Sequence, residues 1–60
     1  MNNFYSHLTD AIHNNINMER LYLAAGLDET TFRKYVADEL FSSDQEKALA
    51  AEIKDWRKGL

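Results

Sequence analysis

The side chains that could carry acid–base chemistry or bind a metal are the two histidines and the residues beside them. His7 and His13 are six residues apart, so on a helix they point about 240° from each other and cannot bind one metal from the same face. The chain has no cysteine to complete a site. Asp10 lies between the histidines and Ser6 adjoins His7, but adjacent helical residues do not face each other, which rules out a catalytic triad. We therefore expect no enzyme activity, no metal and no cofactor.

A second group of side chains, in the middle of the chain, is suited to contacts with nucleic acid. Its members are polar or charged and close together in sequence: Glu29, Thr30, Thr31, Arg33 and Lys34. Arginine and lysine can donate to phosphate or to guanine, threonine offers a hydroxyl and a methyl group, and glutamate can accept from cytosine N4. The alternative is a solvated helix face that carries one arginine and one lysine and binds nothing.

A third group lies near the C-terminus, where Lys54, Trp56, Arg57 and Lys58 surround Asp55. These residue types could hold a nucleic-acid backbone or anchor a dimer interface, where tryptophan and arginine are enriched. The alternative is that the tryptophan closes the core and the cations complement the negative end of the helix dipole. We favour this alternative.

The elements that position these groups are organised around a tight corner at Gly26. Glycine ends a helix without steric cost because it adopts the left-handed conformation. Leu27 then points to the core, and Asp28 is a good N-cap for the next helix. Leu27 and Phe32 occupy the two positions of a hydrophobic staple. Two short helices joined by a turn follow from this pattern.

This corner resembles the bihelical core of prokaryotic helix-turn-helix repressors and activators of the Cro, LacI and AraC types. The similarity rests on Ala25-Gly26-Leu27-Asp28, Thr31-Phe32, Lys34 and Val36, within residues 18–37. It implies that the start of the second helix enters the DNA major groove. By the same resemblance, base edges would be read by Glu29, Thr30 and Lys34, while Thr31 and Arg33 would lie nearer phosphates.

Two features depart from the pattern of that family. Tyr22 stands four residues before the glycine, where these proteins usually carry a small side chain that lets the helices cross closely. Asp28 and Glu29 place two negative charges at a helix N-terminus that would otherwise meet a phosphate. Repulsion from DNA would have to be offset elsewhere, for example by the basic residues of the last helix.

The spacing of apolar residues predicts four helices and no strand. We expect helices at about 3–15, 18–25, 29–41 and 44–58. Their predicted N-caps are Asn2 or Asn3, Asn17, Asp28 and Ser43, the last in a capping box with Glu46. Leu40 is expected on the buried side of the third helix, and Arg20 on the outer side of the second. The predicted fold is therefore all-α, a small bundle of four short helices that contains a helix-turn-helix in a single domain, residues 1–60.

Length, charge and composition bound the function. A chain of 60 residues has modest stability unless a partner adds buried area, so a homodimer is plausible. Without cysteine or an apolar run of about 20 residues, we expect a cytoplasmic protein with no membrane partner. The net charge of −3 counts against DNA, because binders of nucleic acid are usually basic. The excess acid lies before residue 42.

Three hypotheses remain open at this stage. The leading one is a small helix-turn-helix transcriptional regulator, of a size typical of phage or mobile elements, which binds duplex DNA as a dimer. The second is an acidic helical interaction module, an inhibitor or adaptor, that binds a basic surface of a partner protein through Asp28, Glu29, Asp38 and Glu39. In the third, the corner is purely structural inside a homodimer whose interface includes Phe4, Tyr5, Tyr22 and Phe41.

Overall fold

Helices joined by short connections make up most of the computed structural model, which describes residues 3–60. In this range the helices are α1 (Asn3–His13), α2 (Met18–Ala24), α3 (Glu29–Asp38) and α4 (Ser43–Lys58). No strand is present in these residues. The predicted all-α bundle of four short helices is confirmed.

The core is formed by apolar side chains from every helix and from the three connections between them. Nine of the described side chains are buried and apolar: Leu8, Ala11, Ile16, Leu21, Ala25, Phe32, Phe41, Leu49 and Ile53. No polar or charged residue is buried in the described chain. The main helix contacts are those of α4 with α1 and with α2, and those of α2 with α3. Helix α4 therefore supports the α2–α3 corner through its contacts with α2.

Phe41, in the connection between α3 and α4, is the centre of an aromatic cluster. Its ring centroid lies 5.4 Å from that of Phe32, 5.5 Å from Tyr35, 6.0 Å from Phe4 and 6.1 Å from Tyr5. The hydroxyl of Tyr5 accepts a hydrogen bond of 3.0 Å from the backbone N–H of Phe41. Phe41 is only 8% exposed, so it offers little surface to a dimer interface.

Helix α1 ends two residues earlier than predicted, at His13. Asn15 adopts a left-handed conformation with φ of 68°, which asparagine tolerates better than most residues. The side chain of Asn14 donates to the carbonyl oxygen of Asp10 at 2.7 Å. At the other end, Asn3 is already helical, and Asn2 lies outside the described residues.

The end of α3 was also predicted too late, because its last turn is closed by a left-handed residue. Glu39 has φ of 56°, and the backbone N–H of Leu40 donates to the carbonyl oxygen of Tyr35 at 3.0 Å. This bond pattern ends a helix. As a result Leu40 is 49% exposed and its predicted inward position is wrong, whereas Phe41 is buried although it lies outside the helix.

The N-cap of α4 is Ser42, one residue before the predicted Ser43. Two overlapping capping boxes fit the sequence, since both serines have a Gln or Glu three residues later. The box that forms joins Ser42 and Gln45, with bonds of 3.0 and 3.2 Å. Gln45 also donates to the carbonyl oxygen of Ala25 at 3.0 Å, which the carboxylate of Glu46 could not do. The contact with α2 therefore favours the earlier register.

We predict that Phe41→Ala lowers the free energy of unfolding by about 3–5 kcal/mol, because it leaves a cavity at the centre of the core. The whole stability of a 60-residue chain is roughly 3–9 kcal/mol. Urea denaturation followed by circular dichroism measures the loss. The neighbouring Leu40→Ala is the control and should change stability by about 0.5 kcal/mol or less. Equal losses in the two variants would contradict the central place of Phe41.

Candidate nucleic-acid interface

The corner between α2 and α3 has the backbone geometry that the sequence predicts. Gly26 is left-handed, with φ of 72°. The backbone N–H of Leu27 donates to the carbonyl oxygen of Tyr22 at 2.9 Å, and that of Gly26 donates to Leu23 at 3.0 Å. A Cβ atom at Gly26 would meet nothing within 4 Å. The position therefore favours glycine for its conformation and not for space.

Helix α2 begins and ends close to the predicted residues. Asn17 is its N-cap and accepts from the backbone N–H of Glu19 at 3.0 Å, as predicted. The helix ends at Ala24, one residue earlier than expected, and Ala25 is its C-cap. The side chain of Ala25 is buried, so the corner begins within the core.

Asp28 caps α3 as predicted. Its carboxylate accepts from the backbone N–H of Thr31 at 2.7 Å, and hydrogen bonds from the backbone and then the side chain of Thr31 lower the pKa of Asp28. On either side of the cap, Leu27 is half-buried against the core and Phe32 is fully buried. The start of α3 is therefore fixed by a polar cap and an apolar anchor.

The predicted DNA-contacting residues lie at the start of α3 and most of them face solvent. The exposed members are Glu29, Thr30, Arg33 and Lys34, whereas Thr31 is half-buried. Residues at these spacings share one face of a helix. The structure therefore brings the exposed members together on one polar surface, which we call the α3 face.

Within the α3 face, the two residues of opposite charge nearest the corner are paired with each other. Glu29 Oε2 lies 2.8 Å from Arg33 Nη2 and accepts from Arg33 Nε at 3.1 Å. Both side chains are more than half exposed, at 51% and 64%, so the pair contributes about 0.3–0.5 kcal/mol. Lys34 makes no ion pair within residues 3–60. It is therefore the one cation of this face that is not already paired in the described chain.

Helix α2 is tied to α4 by contacts that the sequence analysis missed. Arg20, predicted to lie outside, donates from Nε to Glu52 and from Nη2 to Asp55. These hydrogen bonds, first that to Glu52, raise the pKa of Arg20. The partners are 32 and 35 residues away, so no local pattern could have indicated them. Together with the bond from Gln45 to Ala25, they hold the corner against α4.

The C-terminal group divides into a core residue and exposed cations. Trp56 is half-buried and packs against the core, which agrees with the favoured interpretation. Lys54, Arg57 and Lys58 are exposed and line a groove between α1 and α4. No residue of α3 lines this groove. The structure therefore does not combine the basic C-terminal group and the α3 face in one cleft.

The histidines do not form a site in the described chain. His7 and His13 line different depressions of the surface. Asp10, which could have paired with either, has its Oδ2 atom 4.0 Å from Arg57 Nη2 of α4. Among residues 3–60, no group of three or more His, Cys, Asp or Glu side chains could hold a metal ion.

The comparisons with known proteins add no relative. No family model, no curated protein and no solved structure matches the chain. In the part of the chain that the structure describes, no helix has both the length and the apolar character to cross a membrane. We therefore infer the function from the geometry and the charges of the α3 face.

The lowered pKa of Asp28 leads to a prediction about pH. The folded state favours the ionised carboxylate of Asp28. The stabilisation from this carboxylate is present above the pKa that Asp28 has in the unfolded chain. It is lost as the pH falls through the lower pKa that Asp28 has in the folded state. Asparagine can still cap the helix but does not titrate. We expect the melting temperature of the wild type to fall relative to that of Asp28→Asn as the pH is lowered from about 7 to about 2. A difference that stays constant with pH would contradict this assignment.

Proposed function

We propose that this chain is a small helix-turn-helix transcriptional regulator that binds duplex DNA through the α3 face. One observation carries the proposal: a left-handed glycine corner leads into a capped helix whose first polar side chains share one exposed face. Glu29, Thr30, Arg33 and Lys34 are the exposed residues that would meet the major groove, with Thr31 at its edge.

The proposed action is binding alone, with no chemical step. Lys34 donates to guanine acceptors or to a phosphate, and Thr30 contacts a base edge through its hydroxyl or methyl group. Arg33 exchanges its weak surface pair with Glu29 for a phosphate of the DNA backbone. Because that pair is exposed, the exchange costs little. Occupation of promoter sequence then changes transcription.

Charge limits the affinity that one copy can reach. The net charge is −3, and Asp28 and Glu29 stand where a phosphate would approach the helix N-terminus. Two copies on two half-sites would double the favourable contacts, so we include a homodimer in the proposal. A cytoplasmic location and an origin in a phage or mobile element belong to the same proposal.

The sharpest test compares single charge removals on α3. Glu29→Gln removes a negative charge at the proposed contact and frees Arg33, so it should raise the affinity for duplex DNA by about two- to tenfold. Asp38→Asn is the matched control, because it makes the same change of net charge at the other end of α3. Arg33→Ala combined with Lys34→Ala should lower affinity about tenfold or more. Electrophoretic mobility shift at low salt measures all four proteins.

The pattern of these results separates a specific face from general electrostatics. The proposal requires a larger gain for Glu29→Gln than for Asp38→Asn, with circular dichroism spectra unchanged. If the two substitutions act equally, the α3 face is not the contact surface. If the wild type and the Glu29→Gln variant bind no DNA at low salt, the proposal fails.

A second candidate is an acidic interaction module that binds a basic surface of a partner protein. The observation that favours it is the exposure of acidic residues at both ends of α3: Asp28, Glu29, Asp38 and Glu39. The two candidates predict opposite signs for one substitution. Glu29→Gln should weaken binding to a basic protein surface, whereas it should strengthen binding to DNA.

A further inference from the structure

A groove lies between α1 and α4, and the proposed DNA contact does not use it. Its volume is about 680 Å³, within the usual range of about 300–1,000 Å³ for binding pockets. Phe4, Ala50 and Ile53 form its apolar floor. Ile53 belongs to the core, Phe4 is half-buried and Ala50 is exposed. The floor thus continues the core out to the surface.

One edge of this groove is basic, although the chain as a whole is acidic. Lys54, Arg57 and Lys58 lie along it on successive turns of α4. The nearest carboxylate oxygen paired with Arg57 is that of Asp10, at 4.0 Å. Lys54 and Lys58 make no ion pair within the described range, 3–60. Their charges are therefore available to an external anion.

We propose that this groove binds an acidic amphipathic helix of a partner protein. Apolar side chains of that helix would contact the floor, and its Asp or Glu residues would pair with the basic edge. Three cations spaced three and four residues apart match carboxylates spaced in the same way on a docked helix. A ligand with a single anionic headgroup would need fewer than these three cations. The small side chain of Ala50 lets a helix approach closely.

Nucleic acid fits this groove less well than an acidic helix. Phosphates of a duplex would pair with the cations but would offer no apolar surface to the floor formed by Phe4 and Ala50. A second copy bound through the same groove would place basic edges against each other, which is repulsive. The proposal does not depend on DNA binding by α3, since the groove is lined by α1 and α4 alone.

The test uses a helical peptide of about 15 residues, or four turns, with leucine at three- and four-residue spacing and glutamate beside the leucines. A twin peptide carries lysine in place of every glutamate. Each is titrated into the ¹⁵N-labelled full chain and followed by nuclear magnetic resonance. We expect the glutamate peptide to shift the amide signals of Phe4, Ala50 and Ile53, with the twin binding about tenfold more weakly or worse.

Three variants make the result specific to the groove. Lys54→Glu should weaken binding of the glutamate peptide about tenfold, whereas Lys47→Glu, an equal charge change at an exposed site of α4 outside the groove, should have a smaller effect. Ala50→Arg adds positive charge but obstructs the floor. This change should weaken the binding of a helix that docks in the groove. It should strengthen purely electrostatic binding of a peptide or of DNA.

Several results would overturn the proposal. These are equal binding of the two peptides, equal effects of Lys54→Glu and Lys47→Glu, tighter binding by the Ala50→Arg variant, and no shift at millimolar glutamate peptide. Shifts of the groove signals by duplex DNA but not by the peptide would assign the basic edge to a phosphate backbone instead. Failure of DNA binding by the α3 face alone would leave this proposal intact.

Discussion

The structure depends on the burial of one aromatic ring that does not belong to a helix. Phe41 contacts rings from α1 and α3, and its backbone N–H is satisfied by the hydroxyl of Tyr5. An irregular segment can enter a core only if its polar backbone groups find partners. The hydrogen bond that the Phe41 N–H donates to the Tyr5 hydroxyl therefore makes the burial of Phe41 possible. That burial joins α1 to the end of α3 in a chain too short for a large core.

The position of the candidate interface is set by contacts with α4. Gln45 binds the carbonyl oxygen at the end of α2, and Arg20 joins the middle of α2 to two carboxylates on α4. The corner joins the end of α2 to the start of α3, so these contacts also orient the α3 face. The same helix presents a basic edge on its α1 side. Helix α4 therefore positions two chemically different surfaces, the α3 face and the groove between α1 and α4.

Local signals in the sequence were enough to predict the helices and the corner. Gly26, Asn17 and Asp28 act on residues a few positions away, so their roles can be read from spacing alone. The register of α4 was predicted one residue late, because two capping boxes overlap and a distant carbonyl oxygen decides between them. Neither Arg20 nor the pairing of Tyr5 with Phe41 carries a local signal. The α3 face was predictable from periodicity, but its pair between Glu29 and Arg33 was found only in the structure.

We propose that the α3 face binds duplex DNA although the chain carries a net charge of −3. The most direct measurement is fluorescence anisotropy of labelled duplex DNA titrated with the wild-type protein at several salt concentrations. Binding through the α3 face predicts a saturable titration whose affinity falls steeply as salt is raised, because cations of the protein displace counterions from phosphates. Flat anisotropy at the lowest salt concentration would contradict DNA binding by the α3 face and favour a protein partner.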